Sequence, residues 1–197
     1  MTSSSDDTAE LVDRAVQGDD DATRQLLEAF SSRLKRMLTI RLDRRLHRRV
    51  DESDVLQEAL LEVTRRLPEY ARTRPMSFYL WVRQITGQRL IDIHRQHLGA
   101  QMRSVGREVS LSHGPYPPAS SVSLAAQLLG KMTSPSQAVI KAEAREQVQQ
   151  ALNGMDELDR EVLALRHFEQ LSNAEIAELL GLSETEYADL VERKVID

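Results

Sequence analysis

The chain has 197 residues, 41% hydrophobic and 29% charged, with a formal net charge of −5, a length that fits one large domain or two small ones. It contains no cysteine, which excludes disulfides, a thiolate nucleophile and any cysteine-ligated zinc or iron–sulfur centre. No apolar run approaches the roughly 18 residues of a membrane-spanning segment, so membrane insertion is not expected.

The opening MTSSSDDTAELVDR has neither the basic nor the apolar stretch of an export signal, and a cytoplasmic protein is expected. The net charge conceals blocks. Residues 1–30 hold eight acids against Arg14 and Arg24, and residues 31–49 hold eight cations against Asp43. Residues 50–70 turn acidic, 72–107 basic, and the chain from Lys141 onward acidic. Such alternation suits several charged partner surfaces, or solvated faces with no partner at all.

Residues 8–30 predict a helix pair. Leu11, Val12, Ala15 and Val16 make one stripe, Gly18-Asp19-Asp20 a stop and restart, and Ala22, Leu26, Leu27 and Phe30 the next. That second stripe continues through Leu34, Met37, Leu38 and Leu42. Asp51-Glu52-Ser53 offers caps to a helix over 54–67 that turns Val55, Ala59, Leu60, Val63 and Leu67 inward. Its outer face shows Asp54, Gln57, Glu58 and Glu62, and Pro68 is expected to end it. A basic loop, EYARTRPMS, covers 69–77.

Phe78, Trp81, Val82, Ile85, Leu90 and Ile93 then recur at helical spacing. The remaining faces of this helix carry Arg83, Arg89, Arg95, His94 and His97. A cationic helix that opens with Phe78, Tyr79 and Trp81 suits a polynucleotide, with cations for phosphates and rings for unstacked bases. An ordinary packed helix with a solvated basic face is the competing interpretation. Gly87 implies close packing there.

Periodicity dissolves after Arg103, and SLSHGPYPPASSVS marks a linker that holds a short helix, 124–129. Ser134-Pro135-Ser136-Gln137 predicts a capped restart, a helix over 135–152, and another from Glu157 to Phe168. Ser172 and Glu175 form a capping box, Gly181 a left-handed stop, and Ser183 with Glu186 a second box. Helix, short glycine turn, helix is the helix-turn-helix pattern, though a plain helical hairpin shares it.

Three runs, DVLQEALLEVTRRLPEY (54–70), FYLWVRQITGQRLIDIHR (78–95) and LDREVLALRHFEQLSNAEIAELLGLS (158–183), closely resemble the bacterial extracytoplasmic-function (ECF) sigma factors. The resemblance covers nearly the whole chain in the right order. It implies an all-α protein of two small helical domains: 1–104 for core polymerase and the minus-ten element, a linker over 105–134, and a helix-turn-helix domain over 135–197. It implies core RNA polymerase and promoter DNA as partners, an anti-sigma protein as a further candidate, no cofactor and no catalysis.

By position, Asp54, Gln57, Glu58 and Glu62 match the polymerase-binding face. Arg72, Arg74, Phe78, Trp81, Arg83, Arg89 and Arg95 are the minus-ten candidates, and Asp92 matches a structural acid. Thr185, Glu186, Asp189, Arg193 and Lys194 are the minus-thirty-five candidates, on a helix where the family pattern expects basic residues at Ala188 and Leu190. That helix instead carries Glu184, Glu186, Asp189 and Glu192, so weak DNA reading is expected, as is a more basic continuation than Asp197 supplies. A helix-turn-helix regulator that never joins polymerase would explain 158–193 but leave the acidic 54–62 face unused. An enzyme is disfavoured: His94 and His97 have no third ligand in the pattern, and no phosphate loop or nucleophile motif is present.

Overall fold

The computed structural model describes residues 5–43, 45–47, 49–102, 117–130 and 138–195. Among the described residues every regular element is helical: α1 (Ser5–Val16), α2 (Asp20–Arg41), α3 (Glu52–Thr73), α4 (Phe78–Met102), α5 (Ser121–Leu128), α6 (Ala138–Gly154), α7 (Glu157–Leu163), α8 (Asn173–Leu180) and α9 (Glu184–Val195). Two compact units result. The first comprises Met1–Leu38 and Arg44–Tyr116, the second Thr39–Asp43 and Pro117–Asp197.

In the first unit, Gly18 takes a left-handed φ of 91° between α1 and α2, and the Asp19 carboxylate accepts from the amide of Ala22 at 2.9 Å. Asp51 caps α3 by accepting from Ser53 N at 2.7 Å. The inward stripe of α3 is as the periodicity predicts, with Val55, Ala59, Val63 and Leu67 buried. Pro68 does not end this helix, which runs on to Thr73. Pro68 and Thr64 are both exposed, so the Thr64 carbonyl that loses its helical partner faces water. The added turn is anchored by Tyr70, buried against Phe78 and Trp81, whose hydroxyl donates to Met76 O at 3.0 Å. Only 74–77 is left as the loop before α4. The start of that helix is enclosed: Phe78 to Arg83 are all buried, as are Ile85, Thr86, Gly87, Leu90, Ile93 and His94, while Gln84, Gln88 and Asp92 stay exposed along one line.

The second unit joins the last turn of α2 to α5–α9. Ile40, Ala119, Leu124, Ala125, Leu152 and Ala164 form its apolar cluster. Ser120 caps α5, and Ala119, Leu124 and Ala125, within the expected linker, are buried in this cluster. The expected Ser134–Gln137 cap lies outside the described residues. Helix α7 passes into a π-helical turn over Ala164–Phe168. The Ser172–Glu175 capping box is present in both directions, and Gly181 closes α8 with φ 69°.

Candidate nucleic-acid interface

The expected polymerase-binding face is a surface of α3. Asp54, Gln57 and Glu58 are exposed, while Glu62 is half-buried and pairs with Arg65. Beside them lies Leu61, 71% exposed, at the edge of a shallow apolar depression of about 300 Å³ with Leu27, Gln57, Leu60 and Thr64. Leu61 was not among the residues expected from sequence; the signal for it is a leucine off the inward stripe. The acidic start of α3 also faces the basic block, since Lys35, His47 and Arg49 line one open depression with Asp51, Glu52 and Asp54.

The minus-ten candidates separate into two groups. Arg72, Arg74 and Arg95 are exposed, and Arg74 pairs with Asp13 of α1. Arg89 is half-buried and pairs with Glu58, so two side chains expected to serve different partners hold one another. Phe78, Trp81 and Arg83 are not surface residues. Phe78 and Trp81 are 5% and 6% exposed, in a ring cluster with Tyr70, and Phe30 packs on Phe78 at 5.6 Å between centroids. Arg83 is fully buried. In this structure the first turns of α4 pack inside the unit, and an encounter of these three side chains with nucleic acid would require them to leave it. Tyr79 is buried with them and carries the Arg33 guanidinium 3.6 Å above its ring. His94 is buried and His97 exposed, so the two imidazoles do not present a shared site.

In the second unit α8, the left-handed Gly181 and α9 form the helix-turn-helix. Tyr187 is the buried anchor of α9, whereas Thr185, Ala188, Asp189 and Glu192 are exposed at helical spacing along one side. Glu186 is engaged in capping: its carboxylate accepts from the Ser183 amide at 2.8 Å and the Ser183 hydroxyl at 2.7 Å. The amide first, and then the hydroxyl, hold this carboxyl below its ordinary pKa. Glu186 is therefore a cap before it is a reader of bases. The side chains of Arg193 and Lys194 lie outside the described residues.

This arrangement of an enclosed helical unit and a helix-turn-helix unit agrees with two family models. Sigma-70 region 2 matches residues 28–98 and Sigma-70, region 4 matches residues 145–187, between them more than half of the chain. No curated protein and no solved structure matches. The chain belongs to the sigma-70 family, with the paired region 2 and region 4 of its ECF branch. It is a sigma factor, serving promoter recognition in transcription initiation. No helix among the described residues is long and apolar enough to cross a membrane.

Proposed function

We propose that this sigma factor joins core RNA polymerase through the outward face of α3, and that the polymerase then presents promoter DNA to its two units. The observation that carries this reading is the exposed strip of Asp54, Gln57 and Glu58 beside the exposed Leu61. Acids at one-turn spacing around an apolar edge suit a basic helical partner with an apolar anchor, since such anchors dominate interface energy while surrounding charges orient the encounter. The minus-ten element is met by the exposed cations Arg72, Arg74 and Arg95, with Arg89 available once Glu58 is engaged elsewhere. Phe78, Trp81 and Arg83 hold the shape behind them. The C-terminal unit folds as a helix-turn-helix yet reads the minus-thirty-five element weakly, because Asp189 and Glu192 repel phosphates on the exposed side of α9.

The test is competition for core polymerase by Asp54→Lys/Glu58→Lys, expected to be weaker by about tenfold or more at unchanged helical content. Because Glu58 pairs with Arg89, the same double variant carrying Arg89→Glu restores an ion pair of swapped polarity and should bind no better. Normal competition by the double variant would remove polymerase binding from this face.

A further inference from the structure

The exposed and half-exposed cations given to the minus-ten element divide evenly. Arg72 and Arg95 are exposed, and neither has an ion-pair partner among the described residues. Arg74 and Arg89 are each held by a carboxylate from another helix, Arg74 by Asp13 of α1 and Arg89 by Glu58 of α3. Glu58 lies on the face proposed for polymerase. Asp13 belongs to no surface assigned so far.

Arg74 stands where an arginine is costly. It closes α3 in the left-handed region, at φ 36° and ψ 58°, with its amide donating to the Tyr70 carbonyl at 2.7 Å. Glycine is the usual residue in such a cap, because a Cβ is strained there. The ion pair with Asp13 returns little of that strain, since its side chains are 41% and 58% exposed and screened by water and salt. Strain that the visible contact does not offset points to a contact made with something else. For a guanidinium that partner is an anion. The loop presenting it is fixed from below, where the buried Tyr70 donates its hydroxyl to the Met76 carbonyl at 3.0 Å.

The competing carboxylate is placed by packing. Helix α1 lies against α3, with Val12 and Ala15 as its buried stripe. Asp6, Glu10 and Asp13 follow one another at one-turn spacing on its exposed side, and the strip ends on Arg74. The one cation of this helix, Arg14, is itself held by Asp19.

We propose that α1 is an intramolecular competitor for the minus-ten surface. Asp13 takes the place of a phosphate on Arg74, and a strand gains this contact only by displacing the carboxylate. Asp6 and Glu10 repel phosphates along the same side, and the unpaired Arg72, just before Arg74 in the chain, is the contact made first. The competition acts on any nucleic acid whatever its sequence, because only a phosphate is contested. It rests on the minus-ten role proposed above for Arg74.

The test is fluorescence anisotropy of the full chain with labelled oligo(dT), repeated over a range of salt. Asp13→Asn should tighten binding by about two- to fivefold at low salt and steepen the salt dependence by up to about 0.7 of a unit, the share of one phosphate on a single strand. Arg74→Gln removes the charge and keeps the backbone strain; added to Asp13→Asn, it should abolish the gain. Arg72→Gln added to Asp13→Asn should leave the gain in place, because Asp13 does not hold Arg72. The same gain with and without Arg74 would mean general repulsion by an acid, which overturns the competitor. If Asp13→Asn gains nothing although Arg74→Gln weakens binding, Arg74 keeps its role and the competitor is refuted. If Arg74→Gln changes nothing in either background, or no variant binds, Arg74 meets no phosphate, and its minus-ten role falls together with the competitor.

Discussion

Replacing Trp81 by alanine separates a structural role from a base-stacking one. The indole is 6% exposed, 4.6 Å from the Tyr70 ring and 5.7 Å from the Phe78 ring between centroids. A buried tryptophan removes roughly 200 Å² from water, which at about 25 cal/mol per Å² is about 5 kcal/mol. The two ring pairs add about 0.5–1.5 kcal/mol each, and partial collapse of the cavity returns some of the total, so about 3–5 kcal/mol is the expected loss. With a urea slope of about 2 kcal/mol per molar, the midpoint of the first unit should fall by about 2 M. Far-ultraviolet circular dichroism is the assay, because Trp81 is the single tryptophan and its fluorescence disappears with it. Trp81→Phe keeps a ring in the cluster and should lose less than half as much. A midpoint shift below about 0.5 M for Trp81→Ala would refute the burial argument and return the indole to the nucleic-acid surface.

The second unit supplies three further tests. Tyr187 is 1% exposed, and its buried hydroxyl has no hydrogen-bond partner among the described residues, so Tyr187→Phe should leave thermal stability unchanged or raise it by about 1 kcal/mol. A loss of that size would show the hydroxyl to be bonded. Gly181 has φ 69° with open space where a Cβ would stand, so Gly181→Ala should cost about 1–2 kcal/mol in chemical denaturation through backbone strain alone, and Gly181→Asn less; equal stability of all three would contradict the left-handed stop. Glu186 has a folded-state pKa below its ordinary 4.5, so its capping contribution is complete above that value and is lost as pH falls through the lowered one. Ser183→Ala should flatten this acid limb in a pH titration of stability, and an unchanged limb would locate the acid sensitivity elsewhere.

Local grammar was legible in the sequence where neighbours settle the structure. The Ser172–Glu175 and Ser183–Glu186 boxes and the Gly18 and Gly181 turns need only residues within one helical turn of each other, and they stand where the pattern put them. Long-range packing was not legible. The spacing of Phe78 to Ile93 predicts one inward stripe, but no local period reveals that α2 and α3 cover the start of α4, which is why Arg83 went inward with the rings. Pro68 was misplaced as a stop because its effect depends on whether the orphaned Thr64 carbonyl meets water. Arg41 is buried on Glu161 and Glu169, yet it was one of eight cations in a basic run, and nothing nearby in the chain distinguishes it from the other seven. The site has the same division: the acidic strip of α3 could be read directly, while the Glu58–Arg89 pair that occupies part of it could not.

The π-helical turn at Ala164–Phe168 decides which way the following chain points. Eight residues separate Glu161 from Glu169, and at about 100° per residue an unbroken α-helix would leave them some 80° apart around the axis. A π turn, closed here by the Glu169 amide on the Ala164 carbonyl at 3.0 Å, advances by only about 80° per residue. Over five residues that difference comes to about 100°, which offsets the divergence to within about 20°, and both carboxylates reach the Arg41 guanidinium. The extra residue thus acts as a phase corrector. Deleting any one of Leu165, Arg166 or His167 would restore α-helical winding at no loss of apolar composition beyond the residue removed. It would also leave Glu169, and the helix-turn-helix that follows it, at nearly the same azimuth, since seven α-helical steps turn the chain by about as much as three α and five π steps. Length and winding between Glu161 and Glu169 are therefore coupled: eight residues align the two carboxylates only with the π turn, and seven only without it.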